Sequence, residues 1–141
     1  MDVLNTFVDP IKERDFQVEV DDLIMRDFCT DRKLFETVIR NVIDNSLMYC
    51  RKSGGQVVIT LDEYGAELVV KMWDNGKGIK AELINKVFDM FYKASDISKG
   101  NGLGLYIAKN SVQMLNGEIF ISSKEHEFTI VEVHIPEIKT K

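Results

Sequence analysis

Apolar residues recur along this chain in two rhythms, one near 3.6 residues and one of two, separated by recognisable breaks. Near the start, Leu4, Phe7, Val8 and Ile11 keep helix-like spacing, but Pro10 interrupts them, so a short or broken helix is expected. Phe16, Val18 and Val20 then alternate with Gln17, Glu19 and Asp21, which predicts a strand. Leu34, Phe35, Val38, Ile39, Val42 and Ile43 form one stripe, predicting an amphipathic helix that runs to about Cys50. Thr30 or Asp31 can cap it, because either side-chain oxygen can accept from the free amides of a first helical turn. Gly54 and Gly55 end that stretch. Residues 57–61 and 67–73 read as two strands joined by a turn at 62–65, and 81–87 as a short helix. Residues 94–100 are polar and aperiodic, hence a mobile loop, and 103–115 are helical. Residues 118–122 and 129–135 close a second hairpin, ending at Pro136.

Strands flanking helices, with two consecutive hairpins, suggest an α+β fold. The expected form is a two-layer α/β sandwich, a mixed β-sheet with helices packed on one face. At 141 residues the chain is long enough for one domain with a proper core. A content of 45% hydrophobic and 29% charged residues is that of a soluble globular domain. The net charge of -5 argues against nucleic-acid binding, which wants a basic face. No eighteen-residue apolar run is present to cross a membrane, and Met1-Asp2-Val3 opens an acidic, mixed segment unlike a secretory signal. Cys29 and Cys50 are too few and unpatterned for a disulfide framework or a zinc site, so a reducing, cytoplasmic setting is expected.

Four stretches carry candidate chemistry. Asn41 and Asn45 are four apart and share one helix face, with Tyr49 four further on. Two amides on one face can be a satisfied polar pair, or oxygen ligands for Mg²⁺ when phosphates supply the negative charge. Asp74 ends an apolar strand and is followed by Asn75, Gly76 and Gly78. This is a strong turn signal in any protein. It also suits recognition of a planar base, with the acid accepting from an exocyclic amine and the glycines allowing close backbone approach. The run Gly100, Asn101, Gly102, Leu103, Gly104, Leu105 opens a helix. Backbone amides at such an end face an anion, which makes a phosphate cradle. A dinucleotide fingerprint would follow a strand and place glycine where Leu105 stands, and a P-loop would end in Gly-Lys-Ser/Thr. Phe88 and Phe91 bracket the start of the polar loop and suit core packing, loop anchoring or both.

In chain order the stretches resemble the N, G1, F and G2 boxes of the ATP-binding domain of bacterial sensor histidine kinases. The resemblance runs from about Asp31 to Pro136. It implies the Bergerat ATP-binding fold and two cofactors, ATP and Mg²⁺. By resemblance Asn41 and Asn45 are catalytic, with Asn45 the Mg²⁺ ligand, and Asp74 selects adenine. The implied ATP contacts are Asn41, Asn45, Tyr49, Asp74, Gly76, Gly78, Ile79, Phe91, Lys93, Lys99, the run from Gly100 to Leu105, and Thr129 on the last strand. The loop between Lys93 and Lys99 would be the ATP lid. Two departures stand out: Met48 occupies a position usually basic, which Arg51, Lys52, Lys93 or Lys99 would have to replace, and Phe128 replaces a usual glycine before Thr129.

Hydrolytic relatives, and related serine kinases, carry a glutamate general base four residues before the Mg²⁺ ligand. Here Asn41 stands there, and an amide cannot take a proton. This favours the histidine kinases, whose acceptor imidazole lies on another domain. Neither His126 nor His134 has the expected setting of that acceptor, an upstream helix. The expectation is therefore a catalytic domain over residues 13–141, with residues 1–12 a remnant of the linker from an upstream dimerisation and phosphoacceptor domain. That domain and a response regulator are the implied partners, with no nucleic acid. The isolated domain is expected to be monomeric, and its parent a homodimer that could be membrane-anchored. The readings that compete are a nucleotide-binding regulatory module without phosphotransfer, a hydrolytic ATPase and a plain interaction domain.

Overall fold

A computed structural model describes residues 16–49, 53–90 and 103–138. Strand β1 (Phe16–Asp22) leads through a loop to helix α1 (Arg32–Tyr49), which returns to β2 (Gly55–Tyr64). β2 turns into β3 (Glu67–Asp74). A short 3-10 helix (Ala81–Lys86) follows, then helix α2 (Gly104–Met114), then the hairpin β4 (Glu118–Lys124) and β5 (Phe128–Pro136). The five strands form one mixed sheet in the order β1-β2-β3-β5-β4. β1 lies parallel to β2, as a helical crossover requires, and every other pair is antiparallel.

The period-two pattern decides which sheet face is covered. Val57, Ile59 and Leu61 of β2, Leu68, Val70 and Met72 of β3, and Val131, Val133 and Ile135 of β5 are buried on one face. Phe35, Val38, Ile39, Val42 and Ile43 of α1 join them, with Ala108 and Val112 of α2 and Leu115 just beyond it. Each of these side chains larger than alanine contributes about 1.5–3 kcal/mol by leaving water. The expected two-layer sandwich, with its helices on one face, is what forms.

Local signals place the ends. Asp31 caps α1: its carboxylate accepts the Leu34 N–H at 3.0 Å. Thr30, the alternative cap, does not act; its buried hydroxyl has no hydrogen-bond partner among the described residues. α2 ends in a Schellman motif. Asn116 takes a left-handed conformation (φ 59), and the N–H groups of Asn116 and Gly117 donate to the carbonyls of Gln113 and Val112. The first hairpin is longer than its apolar pattern suggests. β2 continues through Asp62, Glu63 and Tyr64, paired with Val69, Leu68 and Glu67, so the turn is reduced to Gly65 and Ala66. Backbone pairing extends the strand where side-chain alternation no longer reports it. The 81–87 segment is a 3-10 helix rather than an α-helix, with no side-chain cap at Lys80 and only Val87, just past its end, buried. The expected first helix near Leu4 to Ile11 lies outside the described residues, as does the proposed linker remnant, 1–12.

Candidate functional site

Helix α1 carries one edge of the site along its length. Asn41 lies near its middle and is half-buried. Its Nδ2 donates to the Thr37 carbonyl at 2.7 Å, which leaves Oδ1 as the group turned away from its own helix. Gly104, the first residue of α2, sits against that oxygen: a Cβ there would be 3.7 Å from Asn41 Oδ1. The N-terminal turn of α2 thus comes to the Asn41 amide. Leu103 precedes it with no side-chain cap, so no side chain covers the first amides of α2 from the capping position. Asn45 is half-buried one turn further along α1, and Tyr49, also half-buried, is its last residue. Eight residues at about 1.5 Å each separate Asn41 from Tyr49 by about 12 Å.

At the far end stands Asp74, the last residue of β3, with 1% of its surface exposed. Its side chain faces inward because it continues the period of Val70 and Met72. Burial pushes its carboxyl up to about 6, since a charge loses hydration there. The Gly76 N–H, donated to Oδ1 at 2.9 Å, and the facing Ser46 hydroxyl pull it back only in part. That hydroxyl is itself buried and has no hydrogen bond of ordinary geometry among the described residues, so its contact with Asp74 is loose. Ser46 occupies the buried stripe of α1 just beyond Val42 and Ile43, where another apolar residue would fit. Its signal in the sequence is one hydroxyl on that stripe, invisible until β3 is laid against the helix.

The glycines after Asp74 have sharper reasons than approach to a ligand. A Cβ at Gly76 would collide with the Tyr49 carbonyl oxygen, which also accepts the Lys77 N–H at 3.1 Å. The glycine lets the loop lock onto the end of α1. Gly78 has φ 67, and a Cβ there would strike the Lys124 carbonyl of the β4–β5 hairpin. Asn75 holds the other side of the loop: Nδ2 donates to the Gly54 carbonyl at 2.9 Å, and Oδ1 accepts the Gln56 N–H at 2.9 Å. Ile79 donates its N–H to the Ser123 hydroxyl at 2.7 Å. Thr129, 5% exposed, lies directly across from Asp74 on β5. Ser123 was not marked by spacing, and Asn75 only as part of a turn, because each acts between segments remote in sequence.

Tyr49, Asp74, Gly76, Gly78, Ile79 and Thr129 thus gather at the C-terminal end of α1, Asn41 and Gly104 meet near its middle, and Asn45 lies on the helix between the two groups. Leu105 is 8% exposed, which leaves its backbone amide as the group it can offer. Phe88 packs under the Lys109 ammonium, 5.3 Å from the ring centroid, tying the segment after the 3-10 helix to α2. Phe91, Lys93, Lys99, Gly100, Asn101 and Gly102 lie outside the described residues, as do Arg51 and Lys52. Met48 is 38% exposed on α1 and brings no charge. Among the described residues no cluster of three His, Cys, Asp or Glu side chains is arranged to hold a metal. The donors on offer are neutral amide oxygens, a set that fits Mg²⁺ when phosphate oxygens and water complete it.

Comparison with known proteins decides the family. The model of the histidine kinase-, DNA gyrase B- and HSP90-like ATPases matches residues 30–139. The chain belongs to this family. Among curated proteins it is 30% identical to the sensor histidine kinase YvrG of Bacillus subtilis over 110 residues, 76% of this chain and 19% of that protein. It is 34% identical to the sensor protein SrrB of Staphylococcus aureus over 110 residues, 75% of this chain and 19% of SrrB. It is 32% identical to the heme sensor protein HssS of Staphylococcus saprophyticus over 126 residues, 84% of this chain and 27% of HssS. The chain thus spans about a fifth to a quarter of these relatives. Its fold matches that of the mycobacterial sensor histidine kinase MprB, with TM-score 0.80 at 22% identity, over 99% of this chain and 95% of that one. It also matches the catalytic domain of histidine kinase ThkA, with TM-score 0.81 at 23% identity, over 96% and 90%. The expected Bergerat fold is the one observed, and the domain is of the catalytic ATPase type found in sensor histidine kinases.

Proposed function

We propose that this domain binds ATP with Mg²⁺ and delivers the γ-phosphoryl group to a histidine on a separate dimerisation domain of its parent protein. The supporting observation is that α1 carries both ends of one site. Asn41 meets the start of α2 near its middle, and Ser46 and Tyr49 meet Asp74 and its glycine loop at its end. A phosphate tail at the first end and a base at the second match a nucleotide triphosphate in length and polarity. Asn45 would hold Mg²⁺ through its amide oxygen, with Asn41 supporting the phosphates or the ion's waters, and the ion would neutralise charge on the phosphates.

What the chain's own residues do follows from their bonds. Asp74 accepts from the exocyclic amine of adenine; guanine presents a carbonyl there and is repelled. Gly76, Gly78 and Ile79 carry the loop that borders the base. Amides at the start of α2 and the Asn41 side chain orient the phosphates. Asn41 cannot remove a proton from water, which supports transfer to an imidazole over hydrolysis. A response regulator would receive the phosphoryl group next, and the parent would hold this domain in the cytoplasm as a homodimer. Among the described residues no helix is long and apolar enough to cross a membrane.

Calorimetry with MgATP, ATP plus chelator, and MgGTP tests the binding reading. Tight binding of MgATP alone supports it, and equal affinity for GTP overturns the base assignment. Incubation with the parent's histidine-bearing domain and γ-labelled ATP tests transfer. The exposed, uncharged Met48 favours a second reading, a nucleotide-binding regulatory module. Tight ATP binding without transfer in trans would select it.

A further inference from the structure

Three inward-facing polar side chains form one row across the sheet: Asp74 on β3 faces Thr129 on β5, and Thr129 faces Ser123 on β4. The row beneath is Met72, Val131 and Ile121, wholly apolar. The apolar core therefore stops at a polar rim, and that rim borders the base end of the site.

The protons on this rim can be counted. Ser123 Oγ lies 2.7 Å from the Ile79 amide nitrogen, 2.8 Å from the Phe128 carbonyl oxygen and 3.0 Å from Thr129 Oγ1. An N–H only donates, so Ser123 accepts from Ile79. A carbonyl only accepts, so the single Ser123 proton goes to Phe128. The Ser123 hydroxyl then has only a lone pair left for Thr129, and the Thr129 hydroxyl must donate to it. The Thr129 proton is committed sideways along the row. What Thr129 retains beside Asp74 is lone pairs alone, next to a carboxylate that also accepts.

We propose that Ser123 is a specificity-determining positioning residue: by taking the Thr129 proton it makes Thr129 a pure hydrogen-bond acceptor beside Asp74, and so selects purine nucleotides that carry an exocyclic amine. The proposal rests on the ATP-site reading and deepens it. Ser123 itself does not touch the base. It acts through Thr129 while also pinning Ile79 of the base loop.

The experiment measures binding of ATP and inosine triphosphate, which carries a carbonyl in place of the amine, to the folded chain. The wild type is expected to prefer ATP. In Ser123→Ala the Thr129 hydroxyl regains a free proton, which it can donate to the inosine carbonyl or to Asp74, and either use weakens the all-acceptor face offered to the amine. The ATP preference should then fall about tenfold, the worth of one hydrogen bond. Ser123→Thr, which keeps the hydroxyl, should restore it. A role confined to anchoring Ile79 would weaken both ligands equally, so an unchanged ratio in Ser123→Ala overturns the proposal. Thr129→Val gives an independent arm that leaves Ser123 in place. It should also lower the preference, and Ser123→Ala added to it should change the ratio no further; a further change sinks the idea. A wild type that binds ATP and inosine triphosphate alike removes the base reading itself, whereas a selective wild type with an equally selective Ser123→Ala removes only the role of Ser123.

Discussion

On the proposed ATP reading, Asp74 sets stability against recognition. Its folded pKa is raised from 3.8 to about 6 by burial, so the native state holds a proton that the unfolded chain releases. Between pH 4 and 6 the folded form binds more protons, and stability falls as pH rises through that window. At neutral pH the charged carboxylate costs on the order of 2–3 kcal/mol relative to an ordinary aspartate. Asp74→Asn keeps an oxygen for the Gly76 N–H and removes the charge. It should stabilise the domain at pH 7, measured by urea unfolding, and flatten the change between pH 4 and 6. The same substitution should weaken ATP binding by about 1–3 kcal/mol, because a charge-assisted bond becomes neutral or mispaired. In the wild type, ATP affinity should drop as pH falls below 6, where Asp74 gains a proton and its charge-assisted bond to the amine is lost. A variant both less stable and equally tight for ATP would contradict this account.

At the scale of elements, the two glycine segments make opposite demands. Gly76 packs on the C-terminal carbonyl of α1, with backbone on the far side of the collision. Gly76→Ala should therefore destabilise by about 2–4 kcal/mol, visible in thermal melts without any ligand. Gly104 opens α2 with ordinary clearance, 3.7 Å to Asn41 Oδ1. Gly104→Ala should leave stability unchanged or raise it by up to about 1 kcal/mol, since a helical glycine is entropically costly. It should nevertheless weaken MgATP binding, because the new methyl enters the space between Asn41 and the first turn of α2. On the outer sheet face, His134 of β5 reaches Glu132 at 2.9 Å and Glu67 of β3 at 3.2 Å. Burial alone would lower its pKa, but the bonds to Glu132 and Glu67 outweigh it and raise the pKa above 6.5. Its contribution is full below pH 6.5 and is lost as pH rises through the raised value. His134→Gln should erase that part of the pH profile in melts scanned above pH 6.

At the scale of the whole molecule, the two histidines of the chain are poorly placed as phosphoacceptors. His134 faces out from the sheet side opposite the helices, held by two glutamates. His126 sits exposed in the β4–β5 turn at φ 67. The isolated chain should incorporate no label from γ-labelled ATP, assayed by acid-labile counts. Adding the parent's histidine domain should restore transfer, and Asn45→Ala should abolish it while the apo fold melts as before. Label recovered on His126 or His134 would refute this.

Much of this was written in local pattern. The α1 stripe from Leu34 to Ile43, the alternation in β1 and β5, and the glycine runs depend on residues a few positions apart. Their periods fix the elements, and the elements fix the fold class. The order of Asn41, Asn45, Asp74 and the glycine run also carried the family resemblance from which the nucleotide site is proposed. The sequence did not mark the bonds that join remote segments. Nothing near Gly76 announces that its missing Cβ serves the Tyr49 carbonyl. Nothing near Ser123 announces that its hydroxyl arbitrates between Ile79, Phe128 and Thr129. Ser46 reads as a flaw in an apolar stripe until Asp74 is laid against it. Periodicity reports only which way a side chain faces relative to its own element. Which proton goes where is decided by distances between strands and helices, and those exist only once the sheet order β1-β2-β3-β5-β4 has formed.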